Sequence, residues 1–200
     1  VRLRSQPSSR RPRAAEDRVS TRSSSAASAD RQDDLAAVDF AWRVHSAQEA
    51  WTAKVDGKAS ILLALEGGLL VAHLAAHTSD GPLGSLRGWR NAAQGASAVL
   101  LILAILAAAG AVFPMLGRTK TLREASTTRT IYFGHVRHLS GTQLARHLAA
   151  QSTHATLAQL SEQLITMSNL NWRKHRLVQA SVLAVLPAAA LVALAILWPH

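Results

Sequence analysis

The 200-residue chain contains no cysteine, only 4% aromatic residues and only 17% charged residues. The absence of cysteine excludes a disulfide scaffold, a thiolate zinc site and a cysteine nucleophile. The charged fraction is below the roughly 25% of an average soluble domain, although 48% of the residues are hydrophobic. A net charge of +10 would suit a nucleic-acid-binding protein, but the apolar residues form long runs with basic flanks. This distribution predicts a membrane protein that does not bind nucleic acid.

Three apolar runs are long enough to cross a bilayer. Residues 59–77 form the first predicted span, which is weakened by Glu66. Residues 92–115 form the second span, where no polar side chain occurs over residues 98–113. Residues 177–198 form the third span. A helix of about 18 residues covers about 27 Å, which is close to the thickness of the hydrocarbon core.

Basic residues are unevenly distributed around the three spans. Residues 1–54 contain ten Lys and Arg, the short loop at 78–91 contains two, and residues 117–176 contain nine. Because segments rich in Lys and Arg stay in the cytoplasm, the N-terminus and an insert at 116–176 are predicted to be cytoplasmic. The predicted fold is therefore an all-α membrane protein with three transmembrane helices, a cytoplasmic N-terminal helix and a cytoplasmic helical insert.

The region before the first span divides into a tail and a helix. Residues 1–32 are rich in Arg and Ser and contain almost no large apolar side chains, so they are predicted to be disordered. Asp33 and Asp34 suit the start of a helix, where acidic side chains favour the positive end of the helix dipole. We therefore expect a helix over 33–58 that leads into the first span.

The insert is expected to begin with a loop and to continue as helices. The segment 118–130 is polar and typical of a loop, and Ser140 with Gln143 fits the S-x-x-Q capping box of a helix start. Four apolar residues then recur at 3-4-3 spacing: Leu157, Leu160, Leu164 and Met167. This spacing predicts a seam of a helix bundle or coiled coil. The helical pattern continues to the third span, so the seam and that span are expected to form one helix.

The sequence contains no convincing motif for catalysis or for metal binding. Gly57-Lys58 resembles the end of a P-loop, but Ala59 replaces the required Ser or Thr. His135 and His138 form an H-x-x-H pair that lacks the further ligands of a closed metal site. The sequence therefore predicts a protein that is not an enzyme and that uses no metal or cofactor.

Three ionisable residues lie on one face of the first span. Glu66, His73 and His77 are separated by seven and four residues, a spacing that places them on the same side of a helix. Ionisable groups within a membrane usually face a bundle interior or a water-filled cavity. Two interpretations are open: a polar seam that lines a conduction path in an oligomer, and a packing contact from Glu66 that pins neighbouring helices together.

Several short motifs resemble a known family. Asp56 and Lys58 belong to a D-x-K-A motif that is followed by ILLALEGGLL, and this stretch is similar to the start of the Pycsar-type transmembrane effectors of bacterial antiphage defence. The Tyr-Phe-Gly element at 132–134, the apolar seam and Lys174 before the last span are also similar. The resemblance extends over roughly residues 35–198. Two features depart from the family pattern: the Arg/Ser tail, and a glutamate within the first span where a small polar residue is expected.

The resemblance implies a non-enzymatic effector in the bacterial inner membrane. In such systems a partner cyclase makes a cyclic pyrimidine mononucleotide, cCMP or cUMP, upon infection. The effector then oligomerises and disrupts the inner membrane, which arrests growth or kills the cell. Two other functions stay open: a membrane scaffold subunit that recruits a soluble partner, and a pore-forming effector that answers another second messenger.

The resemblance carries no nucleotide-binding motif over to this sequence, so the candidate ligand residues rest on chemistry. A cyclic phosphate favours Arg, and a base favours an aromatic face. The candidates are Tyr132, Arg137, Arg146, Trp172, Arg173 and Arg176. The basic residues from Arg173 to Arg176 have a second interpretation, as the anchor of the last span at the membrane surface.

Reporter fusions test the predicted topology. A fusion at Ser85 should report an extracytoplasmic location, and fusions at Ser126 and at the N-terminus should report a cytoplasmic one, because Lys and Arg are concentrated on that side. An extracytoplasmic signal at Ser126 would contradict the topology and the expectation that the insert senses a cytoplasmic ligand.

Overall fold

The computed structural model describes residues 13–78, 87–113 and 119–197, with side chains from residue 28 onwards. These residues form six helices and no strand: α1 (Arg13–Ala76), α2 (Trp89–Val112), α3 (Thr119–Ala125), α4 (Phe133–Val136), α5 (Gly141–Ala149) and α6 (Thr153–Leu197). The predicted all-α class is confirmed for this part of the chain. Three of the helices, α1, α2 and α6, are long and apolar enough to cross a membrane.

The first helix is longer than the sequence pattern indicated. α1 begins at Arg13, so the predicted helix start at Asp33 is wrong and the predicted disorder of residues 13–32 is corrected. The chain between Arg13 and Asp56 contains neither Pro nor Gly, and a helix that is already packed at one end extends readily through Ala, Arg and Glu residues. The first twelve residues of the predicted tail lie outside the described residues.

Helices α2 and α6 include most residues of the second and third predicted spans. α2 begins and ends three residues before the predicted span at 92–115. α6 runs without interruption from Thr153 through Pro187 to Leu197, so the expected continuity of the seam with the third span is confirmed. Residues 79–86, 114–118 and 198–200 lie outside the described residues. They include parts of the predicted loop, second span, insert and third span.

The three long helices form a bundle in which α1 and α6 are parallel. The α1 residues Gln48 and Asp56 contact Ser168 and Lys174 of α6, in the same order along both helices. α2 is antiparallel to α6, because the first turn of α2 is hydrogen-bonded to the last turns of α6. The insert, residues 119–176, therefore lies at the same end of the bundle as the N-terminal half of α1.

The bundle has the periodicity of a coiled coil. The buried positions of α2 alternate by three and four residues: Gln94, Ser97, Leu101, Ala104, Ala108 and Ala111. Buried positions of α6 recur at multiples of seven residues: Leu160, Lys174, Ser181, Ala188 and Ala195. A repeat of 3.5 residues is typical of helices in a left-handed supercoil. Alanine and serine at these positions let helix backbones approach closely, as in many membrane proteins.

Several polar residues lie inside this bundle beside small apolar ones, and many large apolar residues lie on its outer surface. Glu66, Gln94 and Ser181 are almost fully buried between the helices, whereas Leu65 and Leu183 are largely exposed. Such an extensive apolar outer surface is rare in soluble monomers but is required where a helix meets lipid tails. The burial pattern therefore agrees with three membrane-spanning helices.

The insert contains both predicted and unpredicted features. The capping box is confirmed, because the Gln143 backbone N–H donates to Ser140 Oγ at 3.3 Å and the Ser140 N–H donates to Gln143 Oε1 at 2.8 Å. The segment 118–130 is not entirely a loop, since it includes α3. In the apolar seam Leu160 is fully buried, and the three other members are half-buried.

A pair of matched substitutions tests the packing of the seam. Leu160→Asp should destabilise the protein by roughly 3 kcal/mol or more, because it places an unpaired carboxylate where the native side chain has 0% exposure. Leu148→Asp is the control, since this leucine is 57% exposed. Thermal unfolding in detergent measures both effects. Equal stabilities of the two variants would contradict the assignment of Leu160 to the core.

Candidate functional site in the bundle and the insert

Polar side chains connect α1 to α6 from the insert into the membrane region. Gln48 Nε2 donates to Ser168 Oγ at 2.9 Å, and Thr52 Oγ1 donates to Asn171 Oδ1 at 2.6 Å. We define the polar contact line as four pairs: Gln48–Ser168, Thr52–Asn171, Asp56–Lys174 and Glu66–Ser181. Lipid gives helices little hydrophobic reason to associate, so hydrogen bonds and close packing determine which faces meet. The polar contact line therefore sets the register of α1 against α6.

The ion pair in this line joins two motifs that the sequence placed far apart. Lys174 Nζ lies 2.5 Å from Asp56 Oδ1. The Lys174 side chain is only 10% exposed and that of Asp56 is 37% exposed. A buried ammonium group is costly without a counter-charge. Asp56 of the D-x-K-A motif thus neutralises the lysine that precedes the last span, whereas Lys58 of the same motif is exposed.

Glu66 forms the deepest contact of the line. Its side chain is 1% exposed, and its Oε1 accepts a hydrogen bond from the Ser181 hydroxyl. Its Oε2 is buried and has no hydrogen-bond partner among the described residues. Glu66 thus contacts a neighbouring helix, as the packing interpretation requires. Its carboxyl group also retains an unpaired acceptor oxygen, Oε2, inside the bundle. The conduction path that the other interpretation requires stays a prediction.

The other two residues of the predicted polar seam also face the bundle. His73 is buried with its Nε2 3.2 Å from the Gln94 carbonyl oxygen, and half-buried His77 lies beside it at a ring-centroid distance of 5.0 Å. The Gln94 side chain is fully buried, and both of its amide atoms lack a partner among the described residues. The helix bundle therefore contains buried polar atoms that have no hydrogen-bond partner among the described residues. They belong to Glu66 and His77 of α1 and to Gln94 at the start of α2.

A cavity of about 380 Å³ lies in the insert, between α6 and the segment that contains α3 and α4. We call it the insert cavity. Its volume is within the range of about 300–1,000 Å³ that is usual for small-molecule sites. Its walls are largely apolar, and the side chains that bring polar chemistry to it include Arg129, Tyr132, His135, Gln159, Glu162 and Gln163. Sequence reasoning identified only Tyr132 among these residues as a candidate for ligand binding.

Hydrogen bonds and one ion pair attach the loop beside the cavity to α6. Gln159 accepts a hydrogen bond from the Thr130 N–H and donates one to the Thr128 carbonyl, both at 3.0 Å. Arg129 Nη2 forms an ion pair with Glu162 Oε2 at 2.6 Å. Gln159 and Glu162 are one turn apart on α6, so both attachments bear on the same part of that helix.

The Tyr-Phe-Gly element shapes one wall of the insert cavity. A Cβ atom added at Gly134 would overlap the Tyr132 ring, so this position needs a glycine for the ring to lie against the backbone. His135 is 8% exposed, and its Nδ1 has no hydrogen-bond partner in the described part of the chain. Burial lowers the pKa of His135, and the nearby Arg129 and His138 lower it further. The imidazole is therefore neutral at pH 7 and offers one donor and one acceptor.

The structure distributes the six candidate ligand residues over several places. Tyr132 lines the insert cavity. Trp172 and Arg176 line a second cavity, of about 310 Å³, on the α1–α6 face near Gln48. The remaining candidates are exposed on separate elements: Arg137 after α4, Arg146 in α5 and Arg173 in α6. The six residues therefore do not converge on one cavity. Arg129 and Glu162 were missed because their proximity depends on a loop folding back onto α6.

Removing one charge tests the Asp56–Lys174 pair. Asp56→Asn should destabilise the bundle by roughly 1–3 kcal/mol, because it leaves the Lys174 ammonium buried without its counter-charge. Lys58→Ala is the control from the same motif and should change stability by less than about 0.5 kcal/mol. The measurement is unfolding in a detergent titration. The double variant Asp56→Lys with Lys174→Asp should recover part of the loss, and no recovery would contradict a direct charge pair.

Comparison with known protein families matches residues 40–199 to the Pycsar effector protein domain, PycTM. Neither the curated proteins nor the solved structures gave a match. The family match includes α2, α6 and the packed part of α1, together with both motifs joined by the Asp56–Lys174 pair. The chain therefore belongs to the Pycsar transmembrane effector family and is a multi-pass membrane effector of antiphage defence.

Proposed function

We propose that the protein responds to cCMP or cUMP, made by a partner cyclase during phage infection, by oligomerising and disrupting the inner membrane. Growth then stops or the cell dies. Family membership supports the antiphage role, and the three apolar helices support action at a membrane. In this proposal the N-terminus and the insert are cytoplasmic, where the cyclase product is released. The effector itself carries out no chemical step.

The observation that carries this proposal is the continuity of α6. One 45-residue helix provides a wall of the insert cavity at Gln159 and Glu162, and it later contributes Ser181 to the contact with Glu66. Residues Glu162 and Ser181 are separated by about 28 Å of unbroken helix, at about 1.5 Å per residue. A ligand that moves the first part of α6 therefore also acts on the membrane-embedded part, because the helix transmits displacement as a rod.

The packing of a single chain supports a role for several copies. Ala104, Ala108 and Ala111 of α2 are fully buried, and Ala188 and Ala195 of α6 are buried in the same bundle. These small side chains let α2 and α6 pack closely. The space among the three long helices includes a cavity of about 460 Å³, which is lined by residues such as His73, Ser97 and Ala188. We infer that membrane disruption requires rearranged bundles from more than one chain, in which Glu66, His73 and His77 become the lining of an aqueous path.

Purified protein in dye-loaded lipid vesicles tests the proposed function together with the role of Glu66. Addition of cCMP or cUMP should release dye from vesicles that contain the wild-type protein, and cAMP is the control nucleotide. Glu66→Leu should insert at least as well, because an acidic residue costs roughly 3 kcal/mol in a span, but should release less dye. Glu66→Gln should keep the hydrogen bond with Ser181 and shows whether release needs an ionisable group.

Each outcome of the vesicle experiment has a defined meaning. Full dye release by Glu66→Leu at equal protein density would contradict the polar seam. Loss of release in both variants would assign a role to the ionisable carboxyl group. Release with cAMP but not with a pyrimidine nucleotide would favour a pore-forming effector that answers another second messenger. No release with any nucleotide would contradict membrane disruption and favour the scaffold subunit.

A further inference from the structure

The insert cavity contains the chemical groups that a mononucleotide requires. Arg129 lies at its edge with a side chain that is about half exposed, and a guanidinium group binds phosphate oxygens in a bidentate manner. Tyr132 presents an aromatic ring against apolar walls formed by residues such as Ile131 and Met167. An aromatic ring of this kind is a common stacking partner for an unpaired base.

A second observation points to a ligand in this cavity. His135 is more than nine-tenths buried and lines the cavity, yet its Nδ1 has no hydrogen-bond partner among the described residues. Leaving a buried polar atom unpaired is costly, so such an atom calls for a partner such as an ordered water or a bound ligand. His135 Nδ1 has almost no accessible surface, so the polar edge of a pyrimidine, which carries both donors and acceptors, would pair with this nitrogen once the His135 ring turns toward the cavity.

We propose that the insert cavity is the nucleotide site, that Arg129 binds the cyclic phosphate, and that the base lies on Tyr132 with its polar edge at His135. The nature of the ligand rests on the proposed function, whereas the position of the site rests on the cavity and its side chains. This site differs from the sequence-based set of candidates, since of those residues it includes Tyr132 alone.

Ligand binding at Arg129 has a consequence for α6. The Arg129 guanidinium is paired with Glu162 of α6 at 2.6 Å. A bound phosphate competes with the Glu162 carboxylate for the same guanidinium and repels that carboxylate. Binding thus removes one of the two attachments between α6 and the loop that joins α3 to α4, residues 126–132. The hydrogen bonds of Gln159 maintain the other attachment. Nucleotide binding thus breaks the Arg129–Glu162 ion pair and releases this part of the loop from α6.

Binding of labelled cCMP and cUMP to the full-length protein in lipid nanodiscs tests the site. Arg129→Gln should weaken binding at least about tenfold, because it removes a charged hydrogen bond to the phosphate. Glu162→Gln should strengthen binding several-fold, since Arg129 then has no competing carboxylate. A gain of affinity cannot result from misfolding, so this variant keeps the test decisive if Arg129→Gln is unstable. Arg137→Gln is the matched control, because it removes an exposed arginine outside the cavity.

The results separate the site from the proposed function. Weaker binding by Arg137→Gln with unchanged binding by Arg129→Gln would overturn the site, and so would weaker binding by Glu162→Gln. A third outcome is that nucleotide triggers dye release by the wild-type protein, while Arg129→Gln and Glu162→Gln leave nucleotide binding unchanged. This outcome would overturn the site and keep the proposed function. The expected binding pattern without dye release would keep the site and overturn membrane disruption. No binding of either nucleotide would overturn both.

Discussion

The register between α1 and α6 depends on buried polar contacts, and the rest of the structure follows from that register. Within lipid, apolar helices gain little by burying apolar surface against one another, so an isolated polar group has a strong preference for another polar group. Glu66–Ser181 is such a contact within the spans, and Asp56–Lys174 lies just before the spans, seven residues earlier on α6. A shift of either helix by one turn would leave the Lys174 ammonium and the Glu66 carboxyl group buried without their partners.

This constraint explains why the insert and the membrane helices behave as one assembly. The same α6 that carries Lys174 and Ser181 also carries Glu162, which contacts the loop beside the insert cavity. A change at the loop therefore acts on a helix whose membrane portion packs against both α1 and α2. Specific polar pairs between packed helices suit the proposed function, in which the protein is stable when inactive and rearranges when a signal arrives.

The spans, the helical class and the capping box could be predicted from the sequence, because each depends on local pattern. Long apolar runs, the spacing of the seam and the Ser140–Gln143 pair all report on nearby residues. The early start of α1 could not be predicted, because the weak helix propensity of residues 13–32 was outweighed by propagation from the packed part of the helix. The insert cavity could not be predicted either, because Arg129 and Glu162 are 33 positions apart in the chain and meet through a loop without periodicity.

The central claim is that the insert acts on the membrane through the register of α6 against α1. The absence of native cysteine makes a direct measurement possible, with Gln48→Cys and Ser168→Cys placed at a contact of the polar contact line. This pair is bridged with a short cysteine crosslinker, and dye release from vesicles is measured with nucleotide before and after bridging. The account predicts that the unbridged protein releases dye and that the bridged protein does not, because the two helices can no longer shift. Equal dye release from bridged and unbridged protein would contradict it.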